Sequence, residues 1–258
     1  MVSFDLIGSK EKSVAIVEIG ENDDQKEMAE QIMKNNKSVK SVLKKLSVRR
    51  GEFRLRGYEL IAGDKNTEVV HKEHGYVLKL DPQRVYFSPR EATERQRIAG
   101  GVKSGETVLV MFAGISALAI AIAKKQPKVK KIVSVEINLS AVEYAKENIR
   151  INKVSHLVST IEGDVRGVCK NFPQTFDRIL MPLPLEAANF VKDAINSSKK
   201  NGIISYYTIA ENDDLSKDLE MIEKSAKQLN RNIKILDKQK VLPYSPHKFK
   251  YRIDFRVI

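Results

Sequence analysis

Val108-Leu-Val-Met-Phe-Ala-Gly-Ile-Ser116 and the later stretch Ile132-Val-Ser-Val-Glu136-Ile-Asn138 decide how this chain is read. An apolar strand runs into a tight glycine turn and a helix, and a second strand then ends in a carboxylate. In a doubly wound sheet this sets a backbone turn where a nucleotide-like ligand lies, and an acid where its ribose hydroxyls project. The run lacks the three spaced glycines of a pyrophosphate-binding turn and the Lys-Ser/Thr of a phosphate loop. A nucleoside without phosphates, such as S-adenosylmethionine, therefore fits better than NAD or ATP. One glycine and one acid would equally suit an ordinary strand-turn-helix, so the neighbouring segments have to decide.

Downstream of residue 106, apolar strand-like runs alternate with helical patterns. Strands are expected over 107–112, 131–136, 157–161, 176–181 and 202–209, and helices over 117–125, 140–151, 165–171, 186–198 and 215–230. Such alternation implies a parallel sheet with helices on both faces. The last two runs, 233–242 and 249–257, have only the turn Pro243-Tyr-Ser-Pro246 between them. That is too short for a crossover helix, so they should pair antiparallel. An antiparallel final strand is typical of the seven-stranded sheet of class I S-adenosylmethionine-dependent methyltransferases, a Rossmann-like α/β fold, and not of dehydrogenases.

Residues 1–100 differ in texture and are expected to form a smaller α+β domain that positions RNA or a base, ahead of a Rossmann-like domain over 101–258. A strand is expected over 14–19, a helix over 25–34, β-ribbon over 52–80, and a helix over 90–99 closed by Gly100-Gly101. The net charge of +12 exceeds what solubility requires and suits a polyanion, with nucleic acid the first candidate. The 45 basic residues accompany 33 acidic ones, however, and a Lys/Glu-rich surface is also common in heat-adapted proteins. Lys37, Lys40, Lys44, Lys45, Arg49 and Arg50 concentrate positive charge ahead of Arg54 and are expected to contact phosphates. Cys169 is the only cysteine, which excludes a disulfide framework or a cysteine zinc site within one chain and suits a reducing cytoplasm. No apolar run approaches a membrane span, and the N-terminus is no secretory signal. A monomer is the simplest expectation.

The candidate chemistry gathers at strand ends. Phe112, Ala113 and Gly114 form the first turn, where small residues let a ligand approach the backbone. Glu136 is expected to accept hydrogen bonds from the ribose diol, with Ile137 packed on the adenine. Gly163-Asp164 can present a carboxylate to the adenine amine, although Asp164 also reads as a helix N-cap before Val165. After the fourth strand stands Met181-Pro182-Leu183-Pro184, where base-modifying methyltransferases often carry Asn or Asp. Pro182 offers no side-chain hydrogen bond there, but a rigid turn can still aim a carbonyl. Glu94, one helical turn beyond Pro89-Arg90, could face a cleft between the two halves, and Arg54 and Arg56 would share one strand face.

Taken together, Gly51-Glu-Phe-Arg54, Val85-Tyr-Phe-Ser-Pro-Arg90, Glu94-Arg95, Met111-Phe-Ala-Gly114, Glu136-Ile-Asn138, Gly163-Asp164-Val-Arg166 and Tyr244-Ser-Pro246 resemble the archaeal and eukaryal tRNA (guanine-N1) methyltransferases, which modify guanosine 37 of tRNA. The resemblance runs from Phe4-Asp-Leu-Ile-Gly8 to near the end of the chain, and the family's N-terminal domain that inspects the tRNA elbow is expected to be missing. It implies Glu94 as the general base that takes the proton from guanine N1, which is protonated at neutral pH and cannot otherwise attack a methyl group. It implies Arg54 as the cation that stabilises charge on the base, and Tyr86 as the aromatic support for a nucleotide turned out of its stack. Cofactor contacts would also fall to Tyr86, Phe87, Arg95, Asn138, Val165 and Pro182, and base contacts to Arg90, Pro182, Leu183 and Pro184.

Two positions depart from the family. Pro182 stands where the family has the asparagine of Asn-Leu-Pro, and Ser116 closes a turn that usually reads Gly-Val-Gly, which is expected to narrow the pocket slightly. A sister group transfers the aminocarboxypropyl arm of the same cofactor in wyosine synthesis and usually reads Gly-Asn where this chain has Pro89-Arg90, so methyl transfer is favoured. Methylation of the tricyclic wyosine precursor stays open, with Pro182 as a sign of altered substrate handling. A non-catalytic RNA-binding protein on a retained fold is the reading from another class, and Glu94, Arg54 and Glu136 argue against it.

Overall fold

The apolar alternation of the N-terminal strands is satisfied from two sides. The computed structural model describes residues 4–20, 24–47 and 56–258. Strands β1 (Phe4–Gly8) and β2 (Ser13–Val17), helix α1 (Gln25–Asn35), and strands β3 (Val39–Lys45) and β4 (Tyr58–Gly63) build a four-stranded sheet in the order β1-β2-β3-β4. The α1 crossover makes β2 and β3 parallel, and the other two pairs are antiparallel. Asp24 caps α1 by accepting the Glu27 N–H at 3.0 Å. One sheet face buries Ala15, Val17 and Val42 against Ala29 and Ile32 of α1. The other turns Ile7, Val14, Ile16 and Leu43 into the main core of the chain. Strands β1 and β3 were not among the expected elements; for β3 the lysines of 37–45 read as a solvated basic segment and mask the buried run Ser41-Val-Leu43.

The antiparallel hairpin β5 (Val69–Glu73) and β6 (Tyr76–Leu80) follows, and then, after a 3-10 turn at Pro89–Glu91, helix α2 (Ala92–Gly101). Gly100 and Gly101 lie in the last turn of α2 and neither is left-handed, so the helix stops because Val102 turns extended and not through a glycine cap. From there β7 (Thr107–Met111), α3 (Ala117–Lys125), β8 (Lys131–Glu136), α4 (Leu139–Ile151), β9 (Val158–Glu162), α5 (Val165–Cys169) and β10 (Phe176–Met181) alternate. A 3-10 turn at Ala187–Phe190 precedes α6 (Val191–Ser197), and β11 (Ser198–Glu211), α7 (Ser216–Gln228), β12 (Ile233–Ser245) and β13 (Lys248–Val257) complete the chain.

Seven strands form one sheet in the order β12-β13-β11-β10-β7-β8-β9. Strands β7 to β11 pair in parallel, while β13 is inserted between β11 and β12 and is antiparallel to both. This is the expected methyltransferase arrangement, in which the short final turn accounts for the antiparallel pairing of β12 with β13. The order reverses at β7, so the carboxyl ends of β7, β8 and β10 flank the crevice where ligands bind in such sheets. Val108, Val110, Ile132 and Leu180 point to the α2, α3 and α4 side, and Leu109, Met111, Val133 and Ile179 to the α5, α6 and α7 side. No helix among the described residues is long and apolar enough to cross a membrane.

The hairpin is bound to this sheet by two amides. Asn148 on α4 and Asn152, the C-cap residue one turn further on, face the free edge of β6. The Asn152 side chain accepts from Val77 N–H at 3.0 Å and donates to Val77 C=O at 2.6 Å. Asn148 does the same with Lys79, at 2.6 and 3.0 Å, and also donates to the Ile115 carbonyl at 3.3 Å. Helix side chains thus stand in for a neighbouring strand. Asn148→Ala leaves buried backbone groups unpaired and is expected to lower stability by about 2–4 kcal/mol. Urea unfolding measures this, and an unchanged midpoint would show that apolar contacts alone hold the hairpin.

Candidate active site

The turn after β7 is held in an uncommon backbone shape. Phe112, Gly114 and Ser116 have φ of 53°, 53° and 59°, all left-handed. For bulky Phe112 that conformation costs energy and persists only where the surroundings impose it. They do so here through Ala113 N–H to Val135 C=O at 3.0 Å and Ser116 N–H to Ala113 C=O at 2.9 Å. Ser116 is fully buried, and its hydroxyl lies 3.2 Å from that of Thr160. It therefore does not narrow the pocket, contrary to expectation, because its side chain points into the protein. A Cβ added at Gly114 would sit 3.6 Å from the Tyr86 carbonyl, so the 85–91 segment passes beside the turn.

Glu136, at the end of β8, faces this turn. Its Oε2 accepts the Gly114 N–H at 2.7 Å, and Oε1 accepts those of Ile137 and Asn138 at 3.0 and 2.9 Å. Burial raises its pKa and outweighs the three N–H bonds, which act the other way. A carboxylate has about four lone-pair sites, so Oε2 keeps acceptor capacity for a hydroxyl donor. Asn138 is buried, caps α4 through Ser140 N–H at 3.0 Å, and donates to the Arg84 carbonyl at 3.3 Å. Ile137 is half-buried beside it.

At the third strand end, Gly163 has φ of 150°, and its N–H bonds to the Glu136 carbonyl at 2.9 Å. Asp164 caps α5 through Arg166 N–H at 2.7 Å and also binds the Arg166 guanidinium, which holds its carboxyl below the usual range. Val165, expected at the cofactor, is buried in the core beneath. Arg166 lies 5.4 Å from the Phe190 ring centre, and Phe190 meets Phe112 edge-on with centroids 4.8 Å apart. The segment after β10 is thereby drawn to the glycine turn. Within it Leu183 N–H returns to Met181 C=O at 2.8 Å, a tight turn centred on Pro182, whose fixed φ suits it. Pro182, Leu183 and Pro184 are all half-buried.

Glu94 is buried on α2. Its Oε1 accepts from the Tyr207 hydroxyl at 2.7 Å and from Arg252 at 2.5 Å, and its Oε2 accepts from Arg97 at 2.7 Å. Tyr207 and Arg252 were not anticipated, since they lie 113 and 158 residues away in the chain and only the pairing of β11 with β13 brings them together. Tyr86 is half-buried, with its hydroxyl 3.4 Å from Glu91, and Glu91 also pairs with buried Lys250 at 2.8 Å. Arg90 is exposed and pairs with Asp5 at 2.6 Å. Arg54 lies outside the described residues.

Arg95, expected at the cofactor, fastens α2 to the hairpin. Its guanidinium grips Glu73 at 2.7 and 2.6 Å, donates to the Ser88 carbonyl at 3.1 Å, and stacks 5.0 Å from the centre of Phe87, itself a core residue. Glu73 also accepts from the Tyr76 hydroxyl. Burial opposes its charge, but His71, Arg95 and Tyr76 prevail and lower its pKa to about 2.

Comparison with known proteins gives this geometry a family context. Residues 69–236 match the model of the TRM5/TYW2 methyltransferase domain. The tRNA (guanine(37)-N(1))-methyltransferase Trm5b of Pyrococcus abyssi is 39% identical over 99% of this chain and 74% of its own length. Its crystal structure superposes with a TM-score of 0.87. The structure of the complex of aTrm5 and tRNALeu matches with a TM-score of 0.86 at 33% identity, over 99% of this chain and 72% of that one. The tRNA (guanine(37)-N(1))/4-demethylwyosine(37)-methyltransferase Taw22 of Nanoarchaeum equitans is 30% identical and is matched over 100% of both chains.

The Glu73–Arg95 pair sets an acid limit independently of that kinship. With a folded pKa of about 2 against an ordinary 4.5, Glu73 contributes stability that is full above about pH 4.5 and is lost as the pH falls toward 2. Glu73→Gln is expected to remove a slope of up to about 1.4 kcal/mol per pH unit in that window. It also leaves Arg95 uncompensated, at a cost of about 3 kcal/mol at neutral pH. Unfolding series at several pH values check both, and parallel pH curves for the two proteins would count against the pair's role.

Proposed function

The chain belongs to the TRM5/TYW2 methyltransferase family, and from that premise we propose that it transfers a methyl group from S-adenosylmethionine to N1 of guanosine 37 in tRNA, in the cytoplasm. The observation that carries the proposal is the glycine turn clamped to a strand-end carboxylate, Gly114 N–H to Glu136 at 2.7 Å, at the reversal point of a seven-stranded sheet.

The residues at these strand ends fit the cofactor. Glu136 can take a ribose hydroxyl on Oε2, Ile137 offers an apolar surface to the adenine, and Gly114 leaves the backbone open to close approach. Asp164 is oriented by its capping bond and could receive the adenine amine. When bound, S-adenosylmethionine supplies an electrophilic methyl group with its own leaving group. The protein then has to position the guanine and remove its N1 proton. Glu94 is the carboxylate for that proton, and Tyr86 is the ring against which the turned-out nucleotide rests. Arg54 would stabilise charge at O6. The main-chain turn at Pro182 can direct a carbonyl to the base edge in place of an asparagine amide, and Leu183 and Pro184 border the same space. The net charge of +12 suits a phosphate-rich partner.

Pro182 also favours a second reading at the same tRNA position. A turn without a side-chain amide grips guanine less specifically, which would admit the tricyclic wyosine precursor as a further methyl acceptor. The test is incubation with labelled S-adenosylmethionine and an unmodified tRNA transcript, followed by mass spectrometry of the nucleosides. A guanosine heavier by one methyl group is expected. An aminocarboxypropyl increment would select the sister reaction, and no modification would overturn the proposal.

Two substitutions divide the roles. Glu94→Gln is nearly isosteric but a poor proton acceptor, so single-turnover methylation is expected to fall by about two to four orders of magnitude with cofactor affinity retained. Rapid-quench kinetics at normal speed would remove Glu94 from proton transfer. Glu136→Ala is expected to weaken S-adenosylmethionine binding by about 1.5–3 kcal/mol, the scale of a lost charge-assisted hydrogen bond. Calorimetry reads it directly, and an unaltered affinity would place the ribose elsewhere.

A further inference from the structure

The two oxygens of Glu94 are held very differently. Oε1 receives the Tyr207 hydroxyl at 2.7 Å and Arg252 at 2.5 Å, both from neighbouring strands at positions directly opposite in the ladder. These donors are themselves fixed. Tyr207 is fully buried, and Lys250 stacks 4.8 Å from its ring centre. The Arg252 Nε binds Asp254 at 3.0 Å, Asp254 in turn accepts from Ser205 at 2.6 Å, and Asp237 of β12 lies 3.8 Å from the guanidinium. Among the described residues the partner of Oε2 is Arg97 at 2.7 Å, on the same helix, with 41% of its side chain exposed. The remaining charges nearby, Lys250 and Glu91, pair with each other at 2.8 Å.

From this asymmetry we propose that Tyr207 and Arg252 are positioning residues that pin Oε1 of Glu94, so that Oε2 is the atom that accepts the proton, with Arg97 as the partner it exchanges for the substrate. The proposal rests on Glu94 being the base. In the step itself the N1–H bond breaks, the proton bonds to Oε2, and the electron pair stays on the ring nitrogen as the nucleophile. The proton later passes to water on the side where Arg97 is exposed. Burial, and after it the Glu94 charge, push the Tyr207 phenol well above its ordinary range, so its O–H keeps the proton and can only donate. Burial works against the Arg252 guanidinium, but Asp254 and Glu94 outweigh it and keep it charged. Neither donor can therefore act as the proton acceptor. Their effect is to fix which oxygen is available and how it points.

The experiment is a single-turnover pH profile of methyl transfer to unmodified tRNA, with thermal stability and S-adenosylmethionine affinity recorded for each variant. Removing a donor or cation from a carboxylate disfavours its charged form. Tyr207→Phe is therefore expected to move the acid limb to higher pH and to lower the plateau rate roughly tenfold or more, with KM little changed. Arg97→Gln should move the limb the same way but raise the plateau roughly threefold, because the substrate no longer displaces a cation. Arg252→Lys should recover the limb position lost in Arg252→Gln, and if the latter does not fold, Tyr207→Phe decides alone. Slower variants with an unmoved limb would reduce Tyr207 and Arg252 to packing roles and overturn the proposal. A wild-type protein that makes no methylguanosine, or an unimpaired Glu94→Gln, would instead overturn the assignment of the base, and the proposal with it.

Discussion

The amide of Asn148 is the bond on which the rest of the site depends. It is fully buried and joins three pieces of chain, namely its own helix, the backbone of Lys79 in the hairpin, and the Ile115 carbonyl inside the glycine turn. A buried strand edge must find partners for its N–H and C=O groups. By meeting that need with side chains of α4, the protein brings β6 against the large sheet without adding a strand to it. The segment that leaves β6 at Leu80 then has a fixed origin. It passes beside Gly114 at Tyr86 and enters α2 with Glu94 facing inward. The N-terminal sheet follows the hairpin, since its inner face and the hairpin share one apolar core.

The other half of the site depends on electrostatics in place of oil-like packing. Over most of the large sheet the face toward α2, α3 and α4 is apolar, but on β11 and β13 it carries Ser205, Tyr207, Arg252 and Asp254. Such a network is not needed for stability, because desolvating charges is expensive and well-packed apolar residues often serve as well or better. What the network supplies is direction, since a fully bonded cluster admits few arrangements. A hydrophobic Glu94 pocket would leave the carboxylate free to rotate, whereas the observed one leaves it a single orientation.

Much of the architecture was legible because it follows from periodicity and loop length. The βα alternation after residue 106 implied the parallel sheet, and the few residues between β12 and β13 required their antiparallel pairing. The strand-turn-helix-strand unit that brings Glu136 to Gly114 was legible from spacing. Strand β3 was hidden, since a short strand rich in lysine reads as surface, and β1 because five residues at the start of the chain carry little periodicity. The partners of Glu94 were hidden for a different reason. Sequence spacing carries no information on which side chains meet across a sheet until the register of β11 against β13 is known. The partner of Arg95 was hidden in the same way, because only the position of Glu73, 22 residues upstream, shows what it binds. Ser116 misled because its conformation, and with it the direction of its side chain, is not a property of the residue type.

That left-handed turn has a thermodynamic consequence. Phe112 and Ser116 occupy a backbone region that each would leave in an unfolded chain, at a cost of order 1–3 kcal/mol per residue. The cost is met during folding by the bonds to Val135 and Glu136, before any ligand arrives. On the proposed reading of the site, a nucleoside would find the donors and acceptors already arranged, so little of its binding free energy would be diverted to ordering the chain. The turn is in this sense a spring set by the fold, held in shape by Val135 and Glu136 and not by a ligand.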